Sequence, residues 1–117
     1  MDDLENVVRV AKALSDPTRV RILHALSARE FCVCELVELI GRGQPAVSRH
    51  LGILRDAGLV EDVRDGQWVN YRLRRPARSR FADGALEAAI DTARHDATLR
   101  DDRDRFDGVD RHLIKRS

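Results

Sequence analysis

A short turn between two amphipathic segments constrains the fold more than any other feature of the chain. Before the turn, apolar residues recur at i, i+3, i+4 and i+7, the period of a helix with one buried face: Val33, Leu36, Val37 and Ile40. The turn is Gly41-Arg42-Gly43, and glycine permits the tight connection that two closely joined helices need. Gln44-Pro45 opens the second segment, where the missing proline N–H costs nothing because first-turn donors have no intrahelical partner. The pattern predicts a helix-turn-helix.

Strand-like segments follow this unit. Residues 59–64 and 67–73 enclose Asp65-Gly66, a two-residue hairpin signal. Helical periodicity also predicts helices over roughly 3–14, from Pro17 to about 27, and after Pro76 through about 97. The order predicts a mainly α fold with a small β-hairpin wing, that is, a dimeric winged helix-turn-helix.

The 117 residues suffice for one domain with a modest core. We expect residues 1–100 to form the DNA-binding and dimerisation domain. The first and last helices each carry an apolar stripe, and so short a chain has little else to bury both stripes, so we expect a second subunit to cover them. Residues 101–117 are so charged that we expect a C-terminal tail that buries nothing and frays. The acidic N-terminus and the lack of a long apolar stretch predict a cytoplasmic protein with no membrane association.

Charge is distributed unevenly along the chain. Residues 41–80 carry nine arginines against four acids, a net charge of +5, whereas residues 1–40 and 81–117 each carry −2. A basic middle between acidic flanks is typical of a module that faces phosphates. An ordinary solvated surface would account for the charges equally well.

In a helix-turn-helix the N-terminal residues of the second helix approach base edges in the major groove. This geometry places Gln44, Ser48 and Arg49 toward double-stranded operator DNA. His50 lies at the border of the buried stripe, so it either contacts DNA or packs as a structural histidine. On the wing, the candidates for backbone or minor-groove contact are Arg64, Gln67, Arg72 and Arg74.

The only two cysteines, Cys32 and Cys34, lie at the predicted start of the first helix of this unit. Successive helical side chains are about 100° apart, so i and i+2 thiols diverge and hold one ion only if the helix start unwinds. A soft, thiophilic ion bound there would therefore act directly on the DNA-binding unit. The alternative is a pair of small, half-buried packing residues.

Four stretches together resemble the ArsR/SmtB family of metal-sensing repressors, over about residues 4–95: 13–23, 32–36, 44–51 and 66–73. The Cys-Val-Cys-Glu-Leu stretch is similar to that of the arsenite and antimonite sensors. The resemblance implies a homodimeric repressor that requires no cofactor and leaves its operator when As(III) or Sb(III) binds Cys32 and Cys34. It also places Ser48, Arg49 and His50 in the recognition helix.

The chain departs from that family in one important position. Members with three thiolates in this helix carry a further cysteine where this chain has Val37, so a third donor would come from a small thiol, hydroxide or the partner subunit. The zinc and nickel pattern on the last helix is incomplete, and the extra N-terminal cysteines of cadmium and lead sensors are absent before Cys32.

Other functions fit the residues less well. An enzyme would need a nucleophile with a nearby base, and the thiols share their helix with no histidine. A redox or reactive-sulfur sensor, or a sensor of another thiophilic metal, is the alternative on the same fold, since a helix N-terminus is expected to lower the pKa of nearby thiols and low-pKa thiolates are oxidisable. The arginine-rich reading face argues against a protein-interaction module.

Overall fold

The computed structural model describes residues 3–112, which form six helices and three strands. The elements are α1 (Leu4–Leu14), α2 (Pro17–Ala28), β1 (Phe31–Cys32), α3 (Val33–Ile40), α4 (Gln44–Asp56), β2 (Val60–Asp65), β3 (Trp68–Leu73), α5 (Arg80–Ala93) and α6 (Ala97–Arg105), with a 3-10 turn at Phe106–Gly108. This order confirms the predicted winged helix-turn-helix. No helix among residues 3–112 combines the length and the apolar content needed to cross a bilayer.

Local sequence explains where the helices begin and turn. Asp16 caps α2 by accepting a hydrogen bond from the Arg19 backbone N–H at 3.1 Å, and Pro17 occupies the first helical position. Gly41 ends α3 with a left-handed φ of 77°, which a side chain would strain. The turn predicted at Gly41-Arg42-Gly43 therefore joins α3 to α4 as expected.

The core lies where α1, α2, α3 and α4 meet the sheet and α5. Its largest fully buried side chains include Ile22, Leu23, Leu36, Leu51, Leu54 and Leu86. Apolar burial of this kind contributes about 25 cal/mol per Å² and fixes the relative positions of the helices. The recognition helix is thus held by its apolar stripe, while its other face is free to bind.

The sheet is antiparallel with the strand order β1-β3-β2, and one strand was not predicted. Phe31 pairs with Tyr71 and Cys32 with Asn70, so the first cysteine belongs to the wing sheet. The hairpin turn also differs from the prediction by one residue. Asp65 pairs with Trp68, which makes Gly66-Gln67 the turn instead of Asp65-Gly66.

The C-terminal region corrects two expectations. The single last helix predicted after Pro76 is two helices, because α5 ends at Ala93 and Asp96 caps α6 through the Thr98 backbone N–H at 2.8 Å. The tail expected to bury nothing instead packs on the domain, and Asp102 is 1% exposed. Residues 113–117, the end of that expected tail, lie outside the described residues.

Asp102 explains how so charged a segment packs. Arg21 of α2 donates to both carboxylate oxygens of Asp102, from Nε and from Nη2, at 2.9 Å each. Arg105 adds a third charge-assisted hydrogen bond at 3.0 Å. The buried charge of Asp102 is therefore paired, which a residue-by-residue estimate of polarity does not anticipate.

Candidate DNA interface and thiol site

The predicted reading face of α4 is open to solvent. Gln44, Ser48 and Arg49 are exposed, while Val47 and Leu51 on the opposite side are fully buried. Within residues 3–112, no hydrogen bond or ion pair involves the side chains of Gln44, Ser48 or Arg49. Their donors are therefore available to an external acceptor, as direct base reading requires.

His50 does not belong to that face. It is 9% exposed, and its Nδ1 accepts a hydrogen bond from the Arg19 guanidinium at 3.0 Å, which puts the ring proton on Nε2. Burial lowers the pKa of His50, and the Arg19 charge acts in the same direction. The contact of His50 with DNA stays a prediction, and the structure gives its Nδ1 a partner within the protein. The structural alternative fits, because Arg19 also binds the Ala13 carbonyl oxygen at 2.8 Å and so ties α1, α2 and α4 together.

The wing candidates differ in how far they are already paired. Gln67 is exposed in the wing turn, Arg64 is exposed near the end of β2, and Arg74 is half-exposed just after β3. Arg72 instead donates from Nε to Glu61 Oε2 at 2.7 Å, and its Nη1 lies 3.8 Å from Glu30 Oε2. Of the four, Arg72 is thus the one whose charge is neutralised within the sheet.

The two thiols meet without any unwinding of the helix. Cys32 is the N-cap of α3 with extended backbone (φ −82°, ψ 165°), and its Sγ lies 2.7 Å from the Sγ of Cys34. The expected divergence of the two side chains is therefore wrong, because Cys32 precedes the helix instead of lying in it. Both cysteines are free thiols; Cys32 is buried and Cys34 half-buried.

Glu35 fixes the backbone of this site. Its Oε1 accepts a hydrogen bond from the Cys32 N–H at 2.9 Å and lies 3.5 Å from Arg29 Nη1, and its Oε2 accepts from the Arg111 N–H at 3.1 Å. Glu35 is 6% exposed. The Cys-x-x-Glu spacing, which matches the capping box with cysteine in place of serine, is the signal that would have revealed this contact.

The electrostatics of Cys32 also differ from expectation. Burial, reinforced by the hydrogen bond with Cys34, raises the pKa of Cys32 to about 12. The low pKa expected at a helix N-terminus is therefore wrong for this thiol, because loss of hydration outweighs the helix dipole. Cys32 is therefore a thiol at neutral pH.

The site supplies two sulfur donors. Within the described ranges, no group of three or more His, Cys, Asp or Glu side chains is arranged to hold a metal ion. Val37, one turn beyond Cys34 on α3, packs against the core with its isopropyl group. Two soft donors at short separation favour a thiophilic ion that completes its coordination from elsewhere.

Comparison with known proteins assigns the family. Residues 16–62 match the family described as bacterial regulatory protein, arsR family. The chain is 43% identical over 83 residues to the arsenic resistance transcriptional regulator ArsR1 of Pseudomonas putida, which covers 70% of this chain and 64% of that protein. The chain therefore spans less than two thirds of this curated relative.

Solved structures agree with the fold. The transcriptional repressor BigR from Xylella fastidiosa is 35% identical, with a TM-score of 0.62 over 75% of this chain and 83% of that one. The homodimeric winged helix-turn-helix DNA-binding domain Mb0332 from Mycobacterium bovis is 29% identical, with a TM-score of 0.65 over 77% and 80%.

Proposed function

Because the chain belongs to the arsR family of bacterial regulatory proteins, we propose that it is a cytoplasmic, homodimeric repressor that releases its operator when As(III) or Sb(III) binds Cys32 and Cys34. The observation that carries this proposal is the 2.7 Å separation of the two sulfurs at the N-cap of α3, the helix that leads into the recognition helix. The arsenic resistance regulator of Pseudomonas putida among its relatives supports the choice of ligand.

The thiol form of Cys32 suits the chemistry of arsenite. Arsenite at neutral pH is As(OH)₃, and each thiol that bonds to arsenic sends its proton onto a departing hydroxide, which leaves as water. Two thiols give (RS)₂AsOH and two molecules of water, with no net proton release. A buried Cys32 with a raised pKa is therefore compatible with ligation. The third position on arsenic is filled by hydroxide, a small thiol or a group of the partner subunit.

The DNA side of the proposal rests on the open face of α4 and on exposed apolar side chains of α1 and α5. Gln44, Ser48 and Arg49 read bases, while Arg64, Gln67 and Arg74 contact the backbone beside them. Leu4 is 81% exposed and Phe81 39% exposed, on α1 and α5 respectively. These helices form the dimer interface, so the operator is an imperfect palindrome with half-site centres on the order of 10 bp, or a multiple, apart.

The test is a titration of operator-bound protein with arsenite. Moving a population from mostly bound to mostly free requires a preference of about 5 kcal/mol, on the order of 10⁴ in affinity. Cys32→Ser and Cys34→Ser should each bind the operator as wild type does, yet fail to release it, because one sulfur cannot supply that margin. Val37→Cys should lower the arsenite concentration needed, since i and i+3 side chains are neighbours on a helix.

Each variant is first shown by sedimentation to be dimeric, so that loss of response is not loss of assembly. Parallel titrations with cadmium and zinc test other thiophilic metals. A double serine variant that still releases the operator with arsenite would contradict the site.

The short separation of the sulfurs also favours a second candidate, a thiol-based redox switch. Two thiols would lose two electrons and two protons to form a disulfide, while hydrogen peroxide is reduced to two molecules of water. The raised pKa of Cys32 makes it a poor attacking nucleophile, so Cys34 would attack first. Release of the operator by peroxide, reversed by a dithiol reductant and lost in Cys34→Ser, would select this candidate over arsenite sensing.

A further inference from the structure

The C-terminal segment, residues 106–112, packs against the thiol site. The Phe106 ring stands edge-on to the Phe31 ring with centroids 5.5 Å apart, and Phe31 immediately precedes Cys32. Arg29 donates to the Val109 carbonyl oxygen at 2.7 Å, and Val109 is 5% exposed. The contacts of Phe106 and Val109 thus anchor the segment that precedes Arg111.

Arg111 contacts the thiol site through its backbone and the wing through its side chain. Its N–H donates to Glu35 Oε2 at 3.1 Å. Its guanidinium donates to Asn70 Oδ1 at 3.2 Å and to Asp65 Oδ2 at 2.8 Å, and lies 5.0 Å from the Trp68 ring centroid. Asp65 is the last residue of β2, directly before the wing turn.

Both partners of Arg111 on the site side also hold Cys32. Glu35 accepts the Cys32 N–H, and Asn70 is the residue opposite Cys32 in the β1–β3 pair. Any displacement of Cys32 therefore reaches Arg111 by two routes. From Arg111 the route continues through Asp65 to the turn of the wing.

Binding of one ion by both thiols requires a new separation of the two sulfurs, which the buried Cys32 and the half-buried Cys34 must accommodate. Bonds of about 2.3 Å, the length of a zinc–thiolate bond, at an angle of about 90° place the two sulfurs roughly 3.3 Å apart. The sulfurs lie 2.7 Å apart in the structure. Because Cys32 is fully packed, its sulfur has little room to move without its backbone.

We propose that Arg111 is a positioning residue that transmits occupation of the Cys32–Cys34 pair to the wing turn. This inference rests on the proposed function, since it requires a ligand at the thiols that lowers operator affinity. It gives the C-terminal segment a regulatory role. Arg111 binds the wing through Asp65, and it also binds Glu35, which accepts the Cys32 N–H.

The test measures arsenite binding, wing response and operator release separately. Arsenite binding is followed by the ultraviolet absorbance of arsenic–sulfur bonds, and the wing response by the fluorescence of Trp68, the single tryptophan. Arg111→Ala and Asp65→Ala are compared with wild type. Arg100→Ala, an exposed arginine on α6, is the matched control.

In wild type and Arg100→Ala, arsenite should change Trp68 fluorescence without DNA and lower operator affinity to the same extent. In Arg111→Ala and Asp65→Ala, arsenite should still bind within about threefold of wild type. The arsenite-induced fluorescence change should be largely lost, and the fall in operator affinity should shrink about tenfold, as expected when one contact of a coupled network is removed.

Full release by both wing-contact variants would overturn this inference and leave the proposed function intact. Loss of arsenite binding in Arg111→Ala, equal to its loss of release, would also overturn it, because Arg111 would then only support the thiol site. A wild-type protein that binds no arsenite would instead refute the proposed function, and this inference with it.

Discussion

The recognition helix and the C-terminal region are both rich in charge, but they use it in opposite ways. On α4, the side chains of Ser48 and Arg49 face solvent and form no hydrogen bond or ion pair within residues 3–112. In α6, Asp102 and Arg105 are directed at the domain and at each other. A charged residue therefore indicates a binding surface only if its side chain is not already paired with another residue of the fold.

The same distinction holds between neighbouring arginines of the wing. Arg72 is neutralised by Glu61, whereas Arg64 makes no hydrogen bond or ion pair with any residue from 3 to 112. An arginine that is already paired gains less from a phosphate, because the first partner must be given up. Fewer arginines of residues 41–80 are therefore available to phosphates than their number in the sequence suggests.

The largest effect that would test this comparison is expected at Asp102. Asp102→Ala leaves the half-buried Arg21 guanidinium without its partner and should destabilise the fold by about 2 to 4 kcal/mol. Urea unfolding measures this change. Asp101→Ala, whose 73% exposed side chain lies 3.5 Å from Arg105, should cost less than about 0.5 kcal/mol. Equal stability of the two variants would mean that α6 is not part of the cooperative fold.

The next effect concerns the unpaired side of the comparison. Arg49→Ala should leave the urea midpoint unchanged, weaken operator binding by about 1 to 3 kcal/mol and relax the preference at one position in each half-site. Arg74→Ala should weaken all sequences alike and reduce the salt slope by roughly one. Binding isotherms on operator and scrambled DNA at several salt concentrations distinguish them. Proportional losses on both DNAs for Arg49→Ala would remove it from base reading.

The smallest effect is a pH dependence shared by both regions. His24 lies against Arg103 of α6, with Nη1 2.8 Å from Nε2, and His50 lies against Arg19. Burial lowers the pKa of each ring, and the adjacent arginine adds to the shift. Each group therefore contributes stability that is present above the ordinary pKa of about 6.5 and is lost as the pH falls below it, because the unfolded chain binds the proton more readily.

Urea midpoints between pH 7.5 and 5 should accordingly fall, and the fall should be shallower in His24→Gln or His50→Gln. A midpoint with the same pH dependence in both variants would show that other groups dominate. His24→Gln reports on α6 and His50→Gln on the recognition helix, so the pair separates the two regions.

The parts of the fold that local patterns encode were predictable. The turn at Gly41, the proline start of α4 and the alternation around the hairpin all act within a few residues. Their elements lie where the sequence placed them, apart from the one-residue shift of the hairpin turn. The open reading face followed because helical period alone separates Ser48 and Arg49 from the buried stripe.

The parts that depend on distant residues were not predictable in this way. Strand β1 exists because Phe31 and Cys32 pair with residues 71 and 70, and no local signal marks a two-residue strand. Asp102 is buried because it pairs with Arg21, which lies 81 positions earlier in the chain. The geometry of the thiols followed the same rule, since the position of Cys32 outside α3 is set by its strand partner.

The pairing of Cys32 with Asn70 makes the arrangement of the two thiols depend on folding of the wing. The extended backbone that brings the first sulfur to the second is set by a residue 38 positions later, so a nascent chain lacks this arrangement until the wing has been synthesised and closed. In an unfolded chain the two thiols meet only as one conformer among many. A thiophilic ligand that prefers the closed pair would therefore act as a folding ligand, with the thermal midpoint of the ligand-free protein rising with its concentration.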